Sequence, residues 1–137
     1  MDRHFHSIRL LGPWEYAWAD SQGPEATWHR VRLPVEKPPW LETACGNWLL
    51  LRRWFHRPSG LEPLHRLRIR LDHLPPETQV WLNQNYLGTL EDQSQVALSQ
   101  SALKLRNELI LQVPASQARR WPRWIGIQVA LEIEEPP

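Results

Sequence analysis

Hydrophobic and polar residues alternate in short runs along this chain, and turn residues separate the runs. From Ile125 to Glu134 the alternation is complete: Ile125, Ile127, Val129, Leu131 and Ile133 lie on one face, with Gly126, Gln128, Ala130, Glu132 and Glu134 on the other. A period of two predicts a β-strand with one face on a core and one in water. His65 to His73 repeats the pattern, with Leu67, Ile69 and Leu71 set against Arg66, Arg68, Arg70 and Asp72, and Asn107 to Val113 turns Leu109, Leu111 and Val113 inward. Trp48 to His56 is apolar on both faces at its start, which predicts a central strand. Weaker runs at Trp14–Trp18, Trp28–Leu33, Thr78–Asn83, Tyr86–Leu90 and Ser94–Leu98 also read as strands. Only Ala97–Leu105 leaves room for a helical turn or two.

Gly12-Pro13, Pro34, Pro58-Ser59-Gly60, Pro75-Pro76 and the corner Asn83-Gln84-Asn85 punctuate these runs. Roughly eight or nine short strands with turn signals between them predict an all-β fold, a two-sheet antiparallel β-sandwich occupying residues 1–137 as one domain. The expected core includes Leu67, Ile69, Leu71, Val80, Leu82, Leu109, Leu111, Val113, Ile127, Val129 and Leu131.

Composition narrows the function classes. The 137 residues suffice for one core but not for an added catalytic barrel. Thirteen prolines argue against long helices. A net charge of +1 provides no field for extended nucleic acid or an anionic membrane, so neither is an expected partner. No apolar run approaches the roughly 20 residues that span a bilayer. The N-terminal residues show no secretory signal, and one cysteine, Cys45, cannot pair within the chain, so the expectation is a cytoplasmic protein.

Six blocks, in order, resemble the sugar-binding domain of family 2 glycoside hydrolases. Leu11-Gly12-Pro13-Trp14-Glu15-Tyr16 is similar to its opening L-x-G-x-W-x-F, and Trp28 to Pro34 to its W-x-x-V-x-L-P. Leu51 to Pro58 resembles Y-R-R-x-F-x-x-P, and Leu67 to Leu74 the strand before its G-V turn. Val80 to Gly88 resembles V-W-L-N-G-x-x-L-G, with Gln84 in place of the glycine, and Arg106 to Val113 resembles x-N-x-L-x-V-x-V. The family's H-x-G-G-Y-x-P-F loop is missing, and Thr89 runs into Leu90-Glu91-Asp92-Gln93 instead. The resemblance implies a galactose-binding-like jelly roll and a non-catalytic module whose ligand class is carbohydrate. The family's catalytic glutamates lie in a barrel domain that has no counterpart here. Blocks of strand and turn residues speak to fold more than to function, so a protein-interaction domain, with a second copy or a larger assembly as partner, stays open.

The candidate chemistry is sparse. None of the fifteen acidic residues sits in a glycosidase motif. Glu132, Glu134 and Glu135 read as a solvated face or tail. His4 and His6 share a face of an extended segment, but no third metal ligand is indicated, and no cofactor is expected. In the resembling family a Trp at the position of Trp40 packs between loop and sheet, so packing is its expected role. Arg53 alternates with Leu51 and Phe55, so it points inward and needs a partner, with Glu15 and Asp72 as candidates. The one unusual segment is Arg119-Arg120-Trp121-Pro122-Arg123-Trp124, read as a loop. Its indoles suit the C–H faces of sugars and its guanidinium groups suit hydroxyls and carboxylates, so Arg119, Arg120, Trp121, Arg123 and Trp124 are the candidate ligand-binding residues. The same set suits bases and phosphate, a protein hot spot or an internal cation–π cluster.

Overall fold

A computed structural model describes residues 5–20, 27–41, 46–91 and 94–135, and in it the alternating runs become two antiparallel sheets. The strands are β1 (Phe5–Arg9), β2 (Trp14–Ala19), β3 (His29–Val31), β4 (Trp48–His56), β5 (Arg66–Asp72), β6 (Gln79–Leu82), β7 (Asn85–Thr89), β8 (Gln95–Leu98), β9 (Arg106–Pro114) and β10 (Gln128–Glu134). The four-stranded sheet runs β1-β10-β5-β8 and the six-stranded sheet β3-β2-β4-β9-β6-β7. Every strand pair is antiparallel. The all-β sandwich read from the alternation is the fold observed.

The two inner faces meet through the expected core. Leu67, Ile69, Leu71, Val80, Leu82, Leu109, Leu111, Val113, Ile127, Val129 and Leu131 are all buried. β4 is central, between β2 and β9, and Leu49, Leu50 and Leu51 are all buried in it, as its two-sided apolar start requires. Trp40 is fully buried, with its ring edge-on to Tyr16 at 5.6 Å and to Trp124 at 4.9 Å.

Four readings change. β10 begins at Gln128, because residues 124–126 form a 3-10 turn closed by Gly126 N–H to the Arg123 carbonyl at 3.0 Å, and Ile125 is left exposed. An N-terminal strand, β1, pairs with β10 from Phe5↔Glu134 to Arg9↔Ala130; it holds His6 exposed, while His4 lies outside the described residues. Glu132 is not solvated: it is buried on the outer face of its sheet, where Arg68 Nε donates to it at 2.7 Å. Arg53 does point inward, but neither proposed carboxylate is its partner. It donates to the Leu11 carbonyl at 2.8 Å and to the Trp54 carbonyl, and burial lowers its pKa from the ordinary value. The residue that reaches Glu15 is its neighbour Arg52.

The β6–β7 corner shows why the two asparagines of the resembling blocks stand where they do. Asn83 and Gln84 form a two-residue turn with φ of 50° and 69°, the type I′ geometry that suits hairpin twist. Asn83 Nδ2 donates to Asn107 Oδ1 at 2.9 Å, and Asn83 Oδ1 accepts from the Glu108 N–H at 2.9 Å. The fully buried Asn107 carboxamide also accepts from Lys104 N–H at 2.8 Å and donates to the Lys104 carbonyl at 3.0 Å, so its polar atoms are satisfied. Gln84 has no such role and sits at a left-handed φ that costs a side-chain residue about 1–2 kcal/mol. Gln84→Gly is therefore expected to stabilise the fold by about 0.5–1 kcal/mol after the glycine's extra unfolded-state entropy is deducted. Urea denaturation checks this, and a lower midpoint for the variant contradicts it.

Candidate functional site

The Arg119–Trp124 segment is not the loop expected from its composition. After β9 the chain enters a short helix, α1 (Ala115–Arg120), which turns Ala115 and Ala118 inward and leaves Arg119 and Arg120 exposed. Pro122 cannot continue a helix, and the residue before it is driven extended; Trp121 has φ −69° and ψ 119°.

This geometry separates the two indoles. Trp124 is 2% exposed, T-shaped against Trp40, with Nε1 donating to the Ala118 carbonyl at 3.3 Å. It is a core residue, so its reading as a ligand-binding residue is corrected: α1 and the 3-10 turn after it fold the ring onto the end of the sandwich. Trp121 is half-buried, and its Nε1 donates to the His73 carbonyl at 2.6 Å. Arg119 lies toward Trp18, with its guanidinium carbon 5.8 Å from the ring centroid. Arg120 and Arg123 are exposed on either side of Trp121 in the chain.

Trp121 forms one wall of a groove of about 330 Å³ at the end of the sandwich, with His73, Pro76, Leu90, Glu91 and Ser94 among its lining residues. That size is at the lower end of the ~300–1,000 Å³ usual for small-molecule sites. The His73–Thr78 connection is a wall with unusual backbone: His73 has φ 63° and Glu77 φ 66°. Such conformations persist only where their surroundings fix them. Here the fixing contacts are the Trp121 indole on the His73 carbonyl, Glu77 N–H to the Leu90 carbonyl at 2.8 Å, and the buried Thr78 hydroxyl to the Pro75 carbonyl at 2.7 Å. A rigid aromatic wall is thus held beside an imidazole, a carboxylate and a hydroxyl.

A second cluster escaped the sequence reading. On the outer face of the six-stranded sheet, Arg52 pairs with Glu15 at 3.1 Å and Glu108 at 3.5 Å. Its guanidinium carbon lies 3.9 Å from the Trp28 ring centroid and 5.5 Å from that of Trp54, and Arg106 stands 4.4 Å from Trp54. Across the sheet Trp81 and Tyr86 form a tilted pair 5.3 Å apart. The signal was present: the outward positions of β4 read Trp48, Leu50, Arg52, Trp54, where a solvated face carries polar residues. Among the described residues no group of three or more His, Cys, Asp or Glu side chains converges as a metal site, and no helix is long and apolar enough to cross a membrane.

No protein-family model matches the chain, and no curated protein matches it. Solved structures do. A β-glucuronidase of Bifidobacterium dentium, in complex with coumarin-3-O-glucuronide, superposes with a TM-score of 0.70 at 17% identity, over 94% of this chain and 30% of that one. A β-glycosidase of Bacteroides vulgatus gives 0.64 at 18% identity over 93% of this chain and 20% of that one. A glycosyl hydrolase family 2 member of Bacteroides cellulosilyticus gives 0.60 at 11% identity over 94% and 20%. The chain spans less than a third of each of these proteins. Identities this low speak for fold, so the conclusion is one of architecture: this chain has the β-sandwich fold found as one part of family 2 glycosidases and similar glycosidases.

Proposed function

We propose that this chain is a non-catalytic carbohydrate-binding module whose ligand sits in the groove beside Trp121, with the exposed Arg120 and Arg123 flanking that ring in the chain. The observation that carries the reading is the fixed indole. Its N–H is engaged by the His73 carbonyl, so the ring edge is committed and the ring contributes a preformed wall to the groove. A sugar laid on that wall needs no ordering of the indole. Glu91 accepts from ring hydroxyls, while His73 and Ser94 offer both donors and acceptors; a few placed polar groups beside an apolar wall is the usual composition of a small-molecule site. The glycosidase fold supports the ligand class, and the glucuronide in one similar structure makes uronic acids a first choice beside galactose and mannose.

Isothermal titration calorimetry with these sugars and their oligomers tests the proposal. At least one is expected to bind, and Trp121→Ala is expected to weaken it about tenfold, the loss of about 1–1.5 kcal/mol of aromatic contact, with the circular dichroism spectrum unchanged. Binding that is equally strong in the Trp121→Ala protein would place the site elsewhere, and no binding across the panel at tens of millimolar would remove the carbohydrate reading.

A further inference from the structure

We infer that the groove between β1 and the end of β4 is a binding site for a small organic oxyanion, a phosphate or carboxylate head on an apolar body. The sheet ladder explains why a groove is there. β2 pairs with β4 only as far as Glu15↔Arg52, while β9 follows β4 to His56↔Arg106. Among the described residues, Arg53 to His56 therefore have no ladder partner on the β2 side. The opening has a volume of about 350 Å³, within the ~300–1,000 Å³ usual for small-molecule sites. Leu10, Phe55 and Leu131, all buried, give it an apolar lining, and Arg9, Arg53, Arg106 and His56 supply its basic groups. None of its lining residues is acidic, and it shares none of them with the groove beside Trp121.

The charge of the groove points to an anion. Among the described residues the ion-paired arginines are Arg52, Arg68 and Arg70, which hold Glu15, Glu108, Asp72 and Glu132. Arg9, Arg53 and Arg106 have no carboxylate partner among those residues. Arg53 is half-buried between neutral groups: its Nε donates to the Leu11 carbonyl at 2.8 Å and its Nη1 to the Trp54 carbonyl. These bonds orient the guanidinium without neutralising it, and its Nη2 donors are not engaged by any described residue. A partly desolvated cation without a countercharge is costly, and burial lowers the pKa of Arg53 accordingly. A bound oxyanion removes that cost. Arg106 is held through its face, with the guanidinium carbon 4.4 Å from the Trp54 ring centroid, and a face contact leaves the N–H edge for hydrogen bonds. Guanidinium forks match the paired oxygens of phosphate and carboxylate. A cleft with low-dielectric walls focuses their field although the whole chain carries only +1. The apolar lining, which the Trp54 indole extends, selects an anion with an organic body over a bare ion.

Isothermal titration calorimetry on the full chain at fixed low ionic strength tests this, with phenyl phosphate, benzoate, inorganic phosphate and benzyl alcohol as probes. Phenyl phosphate or benzoate is expected to bind, the tighter of the two naming the head group. Inorganic phosphate should bind more weakly and benzyl alcohol not at all. Arg53→Gln is expected to weaken binding at least about tenfold, the loss of one charge-assisted contact, and Arg106→Gln several-fold. Arg106 is exposed, so its variant decides the question if Arg53→Gln fails to fold. Trp121→Ala should leave the titration unchanged, which keeps this site separate from the carbohydrate groove. The inference is overturned if neither organic anion binds at tens of millimolar, or if benzyl alcohol or inorganic phosphate binds as tightly as they do. It is equally overturned if Arg106→Gln and a folded Arg53→Gln both leave binding unaltered.

Discussion

Trp124→Ala is expected to destabilise the protein by about 3–5 kcal/mol, the range for removing a large aromatic from a packed core. Trp124 is 2% exposed, its ring is edge-on to Trp40, and its N–H is spent on the Ala118 carbonyl. Trp40 in turn meets Tyr16, and Tyr16 meets His29 at 5.2 Å, so the cavity would open at one end of a continuous aromatic row. The Val35 N–H also bonds the Trp124 backbone carbonyl at 3.3 Å, tying the segment after β3 to the same turn. Trp121→Ala, three residues away, is expected to cost only about 1–2 kcal/mol, since part of that ring already meets water and one hydrogen bond is lost. Parallel urea denaturation of the two variants, followed by circular dichroism, checks the split. A Trp124→Ala loss below about 1 kcal/mol, or the reverse order, would mean that the core is not closed by this ring.

The contrast between these two tryptophans marks where the sequence was legible. The strands were readable because each buries one face, and burial writes a period of two into the sequence over five to ten residues. The same rule, carried too far, extended β10 back to Ile125: the alternation continues there by residue type, but burial of Trp124 pulls the backbone into a 3-10 turn and rotates Ile125 outward. The helix at 115–120 was missed because its buried stripe is two alanines, too short and too weakly apolar to show a 3.6-residue period. β1 was missed because its burial is slight; of its five residues only Ile8 is even partly buried, and its pairing with β10 is long-range. The groove beside Trp121 joins residues from the β5–β6 connection, the β7–β8 connection and the turn after α1, and no local pattern predicts that three connections converge. Arg52 and Arg53 show the limit at its finest. Alternation gave the inward direction of Arg53 correctly, but its partner depends on where along the sheet the residue lies. Arg53 lies just past the end of the β2 ladder, beside the carbonyl of Leu11, while Arg52 is still paired opposite Glu15 and Ile110.

Arg52→Ala is the second substitution expected to act strongly, with a loss of about 2–4 kcal/mol. An exposed ion pair is worth about 0–1 kcal/mol, and a count of one pair would predict a near-neutral change. Arg52 is different in two respects. Its side chain is 17% exposed and reaches two carboxylates, those of Glu15 and Glu108, themselves 27% and 17% exposed. Its removal leaves two partly desolvated like charges, on the two strands that flank β4, without their shared cation, an arrangement that costs more than the pair gains. Its guanidinium also lies over Trp28 and within reach of Trp54, contacts of about 0.5–2 kcal/mol each depending on solvent exclusion. Trp28 immediately precedes β3, a three-residue edge strand held by few ladder bonds, so loss of this contact should loosen that edge first. The charge and packing parts are separable. Arg52→Lys keeps the charge but not the planar fork, and should recover less than half of the loss. Adding Glu15→Gln and Glu108→Gln to Arg52→Ala removes the stranded charges, and should recover about 1 kcal/mol or more in low salt. If Arg52→Ala shifts the denaturation free energy by less than about 0.5 kcal/mol, the guanidinium is surface decoration. If Lys restores the full stability, charge alone holds the node and the stacking between the indoles contributes nothing.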